Sequence, residues 1–474
     1  MKNLIQCLVT RSGLVATALL PLFLGVHSVA AAAVGIASYS DFIKGVRYAQ
    51  FEQFENRINS EVMDKQAFTA MQKHILKHYR GVKITNSFLG QSGSPIDCVT
   101  IKSQPSLQSR KMRGHKLATP PKALTRADQR SAKRVKSGKD IKPQLSRKMK
   151  DLYGNTMYCG KGTIPMRRLT LETLTRFETL DDFFSKGPGD ALQRAEKRKE
   201  QSSVQSKQEE IVPGDDDATH YWAHARQTVD NHGGDSRLNV WRPDADPGEF
   251  SLSQHWYVGG TGANKQTVEG GWHVYDWKYE NSNPNLFIFS TSAGYSVTDP
   301  VSKCYNLDCA AFVQINNSWV LGGELGPVST TGGTQYIFRM QWQLHNGNWW
   351  LFLKGRGSAE PGVANYHAVG YYPEEWFNGG QLTQHATKID YGGEVASHDE
   401  NTGEMGGGKH AVEGWQQAAY QRTIYYIDLA QKGQWANLTK VNGTPDCYTA
   451  DLHNQTGTTW ATYLYFGGPE CPAP

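Results

Sequence analysis

An antiparallel β-sandwich in the carboxy-terminal part of the chain, preceded by a smaller α+β segment, is the fold class this sequence predicts. Three observations carry the prediction. Beyond residue 218, short runs rich in Val, Ile, Phe, Tyr and Trp recur between clusters of Gly, Asn, Asp and Ser, the pattern of many short strands joined by turns. Long apolar periodicity at three- and four-residue steps, which the helices of an α/β enzyme would show, is nearly absent there. Residues 39–80 do carry it, with Phe42, Val46, Phe54, Phe68, Met71 and Ile75 spaced among charged residues, and are expected to form one or two amphipathic helices. At 474 residues the chain exceeds what one hydrophobic core holds, so two domains are expected.

Taken in order, residues 1–33 read as a secretory signal: Lys2, an apolar run from Gly13 to Leu24, then small residues from Ser28 to Ala33. Arg11 and Pro21 interrupt the run, and no other stretch approaches the roughly 20 apolar residues that span a bilayer. No membrane contact is therefore expected after signal removal, and the protein is expected to be secreted or extracellular, or periplasmic in a Gram-negative host. Export sets how the cysteines are read. Cys7 leaves with the signal and Cys98, Cys159, Cys304, Cys309, Cys447 and Cys471 remain, an even number that predicts disulfides. Spacing by itself leaves many connectivities open. Proximity within two domains favours Cys304–Cys309 and Cys447–Cys471, leaving Cys98–Cys159. Neither CxxC nor HExxH spacing occurs, so no metal and no cofactor is expected.

Charge is divided along the chain. Residues 1–212 hold 36 Lys and Arg against 18 Asp and Glu, whereas residues 213–474 hold 14 against 27. The two halves attract each other at low ionic strength. Residues 110–150 carry 15 Lys and Arg with few large apolar side chains, so this insertion is expected to stay solvated and open to proteases. A nucleic-acid partner is not expected for an exported chain. Residues 96–101 read as a strand, order is expected again from Tyr158 to Arg168, and a short helix over 171–184 follows. Residues 196–210 are a polar linker ending at Pro213-Gly214. Domain bounds are placed at 34–200 and 219–474, with residues 201–218 between them. Strands are expected at 250–258, 286–290, 311–315, 423–428 and 459–466. Residues 336–344 and 349–353 are expected to pair as a hairpin across Asn346-Gly347, whose residues accept the positive φ of a tight turn. Sequons stand at Asn316, Asn437, Asn442 and Asn454.

The stretch Thr267 to Tyr275 is strand-like, yet carries Glu269 beside Gly270 and Gly271. Glu394 has the same setting after Gly392 and Gly393. A carboxylate among glycines and bulky aromatics is desolvated, which raises its pKa, and a pair of such groups suits general acid–base chemistry. Spacing alone does not prove that these two meet.

A series of ordered motifs resembles the neprosin family of glutamic peptidases: Glu249 to Gln254, Val268 to Val274, Cys304 to Cys309, Phe312 to Gln314, Gly347 to Leu351, Val369 to Pro373, Gly392 to Val395 and Glu404 to Gly408. The amino-terminal half is similar to the family's activation domain at Asp97-Cys98-Val99, Gln104-Pro105, Cys159, Gly162 to Pro165 and Arg167-Arg168. The resemblance implies a lectin-like sandwich, a zymogen inhibited by its own pro-domain, and endopeptidase cleavage after proline at acidic pH. It places the catalytic pair on Glu269 and Glu394, and the paired cysteines on Cys304–Cys309 and Cys447–Cys471.

On that basis the two glutamates are expected to hold a water, one as base and one as acid. Gln254 and Tyr391 are candidates for positioning the carbonyl or its oxyanion. Trp272, Trp349, Trp350 and Tyr371 are candidate walls of a subsite for a proline ring. Pro213-Gly214 is the expected site of self-processing, the partners are proline-containing peptides, and the enzyme is expected to be a monomer. Other classes compatible with the residues are a secreted lectin-like carbohydrate-binding protein and a glycoside hydrolase using two carboxylates.

Overall fold

The computed structural model describes residues 35–112, 114–124, 138–186, 219–296, 302–355, 366–397, 401–441, 447–454 and 460–472. The expected signal, the linker with Pro213-Gly214, Asn442 and much of the basic insertion lie outside the described residues.

Alternating apolar and polar residues beyond residue 218 build two antiparallel sheets. One has seven strands in the order Lys303–Tyr305, Asn285–Thr291, Gln266–Val274, Phe250–Gly259, Ala386–Ser397, Thr219–Asn231 and Thr439–Val441. The other runs Val313–Gln314, His367–Tyr372, Asn348–Lys354, Tyr336–His345, Gly233–Asn239, Ala419–Ile427, Tyr463–Gly467 and Thr449–His453, with Gly433–Trp435 beside Ala419–Ile427. The hairpin across Asn346-Gly347 forms, with φ of 50° and 74° at its two turn residues and His345 opposite Asn348. The strand expected over 459–466 starts later, at Tyr463, because Ala461 takes a positive φ of 51° and bends the chain.

The sheets pack face to face over a core of large side chains. Trp272 donates its indole N–H to Asn239 O at 2.8 Å, and Gln421 reaches across to Ser253 Oγ at 3.1 Å and Gln254 O at 3.0 Å. Such buried polar pairs fix how the sheets register, because each unmet donor would cost about 1–3 kcal/mol. Disulfides join Cys304–Cys309 and Cys447–Cys471. They fit an oxidising compartment. Among the described residues no helix is long and apolar enough to cross a membrane.

The amino-terminal module is α+β. The periodicity over 39–80 is realised as two helices, Tyr39–Tyr48 and Lys65–His78, capped by Ser38 and Asp64, with a break between them in which Asn59 has a φ of 69°. Strands Ile84–Leu89, Pro95–Thr100 and Thr163–Arg167 form a small sheet, crosslinked by Cys98–Cys159. Its centre is an ion pair: Arg168 donates to Asp97 at 2.8 and 2.6 Å, and both side chains are buried. The helix expected over 171–184 is two short ones, Leu171–Leu174 and Leu180–Phe184, because Thr179 and Asp182 form a second capping box.

This module sits at one edge of the sandwich and reaches over both outer faces. One arm crosses the ten-stranded sheet. Lys139–Asp140 adds a parallel strand beside Tyr336–His345, and His115 Nε2 lies 2.8 Å from Tyr371 Oη. The other arm, residues 171–186, crosses the seven-stranded sheet. Three glutamines bind peptide units of the opposite side through both amide atoms: Gln104 holds Gln314, Gln144 holds Val320, and Gln341 holds Leu124.

Removing one partner of a buried ion pair costs about 3–5 kcal/mol. Arg168→Ala is therefore expected to lower the urea midpoint of the full chain by that equivalent. A midpoint unchanged from wild type would show that the pair does not hold the module together.

Candidate active site

Glu269 and Glu394 stand on the outer face of the seven-stranded sheet, with one strand, Phe250–Gly259, between theirs. In register, Gln254 lies opposite Gly271 on one side and Gly392 on the other. A Cβ on either glycine would collide with backbone, at Ser253 O and Ala223 O. Beside Gln254 the floor is therefore open on both sides, with Trp256 opposite Glu269 and Leu252 opposite Glu394 on the same strand.

Both glutamates are closed off from solvent, at 0% and 1% exposure. The ammonium of Lys186 fills the space between them, 2.7 Å from Glu269 Oε2 and 2.8 Å from Glu394 Oε2. The two Oε2 atoms are thus no further apart than the sum of those distances. Glu269 Oε1 accepts from Thr267 Oγ1 and Tyr295 Oη, each at 2.8 Å. Glu394 Oε1 lies 2.7 Å from His220 Nδ1, and its Oε2 accepts from Gln254 Nε2 at 2.9 Å. The Lys186 nitrogen also sits 5.2 Å above the ring of Trp256.

The charges hold one another in place. Burial pushes the Glu394 carboxyl up, but the Lys186 ammonium and the His220 hydrogen bond outweigh burial and hold it down to about 2. Burial draws the Lys186 ammonium down, and the charges of Glu269 and Glu394 outweigh it and raise it above its ordinary value. Burial and the charge of Glu269 raise the Tyr295 phenol well above its ordinary value, so that it stays a donor. Tyr295 reaches the carboxylate from a backbone φ of 58°, a left-handed conformation unusual for an aromatic residue.

Of the residues singled out from sequence, the structure brings Glu269, Glu394 and Gln254 together. Tyr391 is not with them. Three positions from Glu394 along a strand, it points to the opposite face, where its hydroxyl donates to Tyr425 O at 3.3 Å between the sheets. Trp272 faces inward for the same reason. Trp349 is core, donating to Leu382 O at 2.6 Å. Trp350 and Tyr371 stack at 4.5 Å beneath Met112 of the amino-terminal arm, on the other sheet. None of these four aromatics lines the glutamate pair; the rings that do include Trp256, Tyr295 and His220. Lys186, His220, Thr267 and Tyr295 carried no signal in sequence. The nearest thing to one was Phe183-Phe184 ahead of Lys186 and Gly187-Pro188-Gly189, an apolar anchor followed by a chain break.

The neprosin family model matches residues 247–469, and the model described as the neprosin activation peptide matches residues 87–213. The two matches together take in most of the chain. The chain belongs to the neprosin family. It is a peptidase with its activation peptide still attached, and Lys186 lies within the matched activation peptide, so this neprosin zymogen carries its own inhibitor. Among solved structures, the chain is similar to scytalido-glutamic peptidase with a peptide-based transition state analogue, at a TM-score of 0.29 and 8% identity, over 53% of this chain and 99% of that one. It is also similar to SCP-B, a member of the Eqolisin family of peptidases, in a complex with the tripeptide Ala-Ile-His, at 0.26 and 6%, over 53% and 99%. Likenesses this slight carry no weight for function.

Lys186→Gln would leave two buried carboxylates facing each other. In the wild type, Glu394 is depressed from 4.5 to about 2, so its contribution to stability is full above pH 4.5 and is lost as pH falls toward 2. In the variant the like charges raise a carboxyl of the pair, so stability increases as pH falls. The melting temperature of Lys186→Gln zymogen is expected to lie well below wild type at pH 7, with the gap narrowing toward pH 3. A gap that does not change with pH would remove the ion triad.

Proposed function

We propose that this protein is a secreted glutamic endopeptidase that hydrolyses peptide bonds after proline at acidic pH, with Glu269 and Glu394 as the catalytic pair. The observation that carries the proposal is the position of the Lys186 nitrogen. A group held at hydrogen-bond distance from both carboxylates stands where an attacking water would stand, since a water oxygen makes bonds of similar length.

With Lys186 gone, two carboxylates this close share one proton. His220 and Gln254 both donate to Glu394 and favour its ionised form, so Glu394 takes the proton from water. The Thr267 hydroxyl beside Glu269 can turn to accept, so we assign the shared proton to Glu269. Water oxygen bonds to the carbonyl carbon, the C–N bond breaks, and the Glu269 proton goes to the leaving nitrogen. Gln254 is at hand to position the carbonyl. Trp256 offers the aromatic surface for a proline ring.

Activation requires more than a cut at Pro213-Gly214, because the ion triad still holds Lys186 after the linker is severed. Acid loosens the arm elsewhere. His74 Nε2 lies 2.9 Å from Asp308 O across the interface, and its ring packs on Phe184 at 5.2 Å. Burial lowers the pKa of His74, and lowers that of His78 to about 3. Groups whose folded pKa is depressed in this way take up protons on release, so the closed state loses stability as pH falls below their ordinary 6.5. The division of charge between the halves adds to this as carboxylates of the interface are neutralised.

The test is hydrolysis of a proline-containing peptide at acidic pH by wild type, Glu269→Gln and Glu394→Gln, all activated by an added protease. Either variant is expected to lose at least about a thousandfold in kcat, in the range found when an essential acid–base group is removed. Full activity in both variants contradicts the assignment. Cleavage of a polysaccharide in place of the peptide would transfer the pair to glycoside hydrolysis.

A further inference from the structure

Two more lysines on the peptidase side grip the activation peptide. Lys303 lies on the edge strand of the seven-stranded sheet and is 1% exposed; its ammonium is 2.8 Å from Asp181 Oδ1 and 3.2 Å from Ser185 Oγ. Lys278, in the short helix Asp276–Tyr279, is wholly buried and donates to Phe183 O at 2.6 Å. Among the described residues every hydrogen-bond acceptor of these two ammonium groups belongs to the activation peptide. Burial holds the Lys278 ammonium down to about 7, with Asp308 attracting it. Loss of the peptide therefore removes the hydrogen-bond acceptors of both ammonium groups, with Lys278 keeping only the Tyr305 ring at 4.2 Å and the attraction of Asp308, and buried cations short of acceptors are costly.

The path of the activation peptide shows what the cleft accepts. Asp181 sits at the edge strand Lys303–Tyr305 and Lys186 over the strand Phe250–Gly259, three strands further in. The arm crosses the sheet transversely. At about 4.8 Å per strand this is about 14 Å, which an extended peptide covers in about four residues. One cleft thus joins the glutamate pair to the two lysines, and the short helix Leu180–Phe184 with the Asp181 carboxylate occupies it in the zymogen.

We propose that in the mature enzyme Lys303 and Lys278 form an extended substrate subsite, Lys303 binding an acidic side chain about four residues from the scissile bond and Lys278 a nearby backbone carbonyl. The proposal rests on the peptidase reading above. Asp181 and Phe183 O are the zymogen's own occupants of that subsite. Substrate chains of either polarity lie along the same line, so the acidic residue falls on whichever side of the scissile bond points toward the edge strand.

The experiment uses activated enzyme and internally quenched peptides with a single proline, at pH 5, where Asp is ionised. Asp is compared with Asn at three, four and five residues on each side of the proline. One Asp position is expected to raise kcat/KM about tenfold, carried in KM. Lys303→Gln abolishes that preference while keeping kcat on the Asn peptide. Lys303→Glu, made together with Asp181→Lys so that the zymogen contact is retained with charges exchanged, prefers a Lys-bearing peptide instead. Cleavage without any Asp preference, or an Asp preference that survives Lys303→Gln, overturns the subsite alone. Failure of wild type to cleave any of the peptides overturns the peptidase reading and the subsite with it.

Discussion

Two carboxylates and one ammonium, all nearly closed off from water, meet over the middle of the seven-stranded sheet. Any one of them buried alone would be strongly destabilising, and none can be removed without stranding the others. Glu269 and Glu394 are therefore tolerable in the zymogen because Lys186 is there, and Lys186 is tolerable because they are. The sheet is shaped for this contact: Gly271 and Gly392 leave the floor open, and Gln254, Thr267, Tyr295 and His220 occupy the outward lone pairs of the carboxylates. In the proposed reaction the same preorganisation holds a water once the ammonium has gone.

An ammonium at the end of a flexible side chain is held there only if its backbone is held too. Lys278 and Lys303 clamp the five residues leading to Lys186, and Phe183 and Phe184 anchor them among aromatic rings. Behind that segment, the glutamine contacts attach the module to the edge strand of the ten-stranded sheet at Gln314, to the loop at Val320 and, through Leu124, to Gln341 of the same sheet. These amide contacts are neutral and insensitive to acid. The ion pairs and histidines are not, and they stand on both arms: His74 beside Asp308 and Phe184, and His115 beside Glu375 on the arm over the ten-stranded sheet.

Much of the architecture was legible because strand periodicity and turn chemistry are local. The Asn346-Gly347 hairpin, the helices before residue 80 and the glycine-flanked glutamates each announce themselves within a few residues. The site was legible only in part, because its partners come from distant segments: Lys186, His220 and Tyr295 reach Glu269 and Glu394 through strand order and docking, which no local pattern encodes. The aromatic residues misled for a physical reason. Trp and Tyr are common both in cores and in binding clefts, and which they serve is set by the strand's two-residue alternation relative to the site. Counting from Glu394 and Glu269 places Tyr391 and Trp272 on the inner face, so that correction was available in the sequence once the functional face was fixed. Trp256, opposite Glu269, has the parity that places it on the site face.

The account turns on the Lys186 ammonium occupying the place of the catalytic water. The most direct measurement is inhibition of the activated enzyme in trans by its own segment 35–186, compared with the same segment carrying Lys186→Gln. Inhibition competitive with the peptide substrate, weakened at least about a hundredfold by the substitution, is the predicted result. Equal inhibition by the two segments would contradict it, and would mean that the activation peptide blocks the cleft by covering it, with the glutamate pair playing no part.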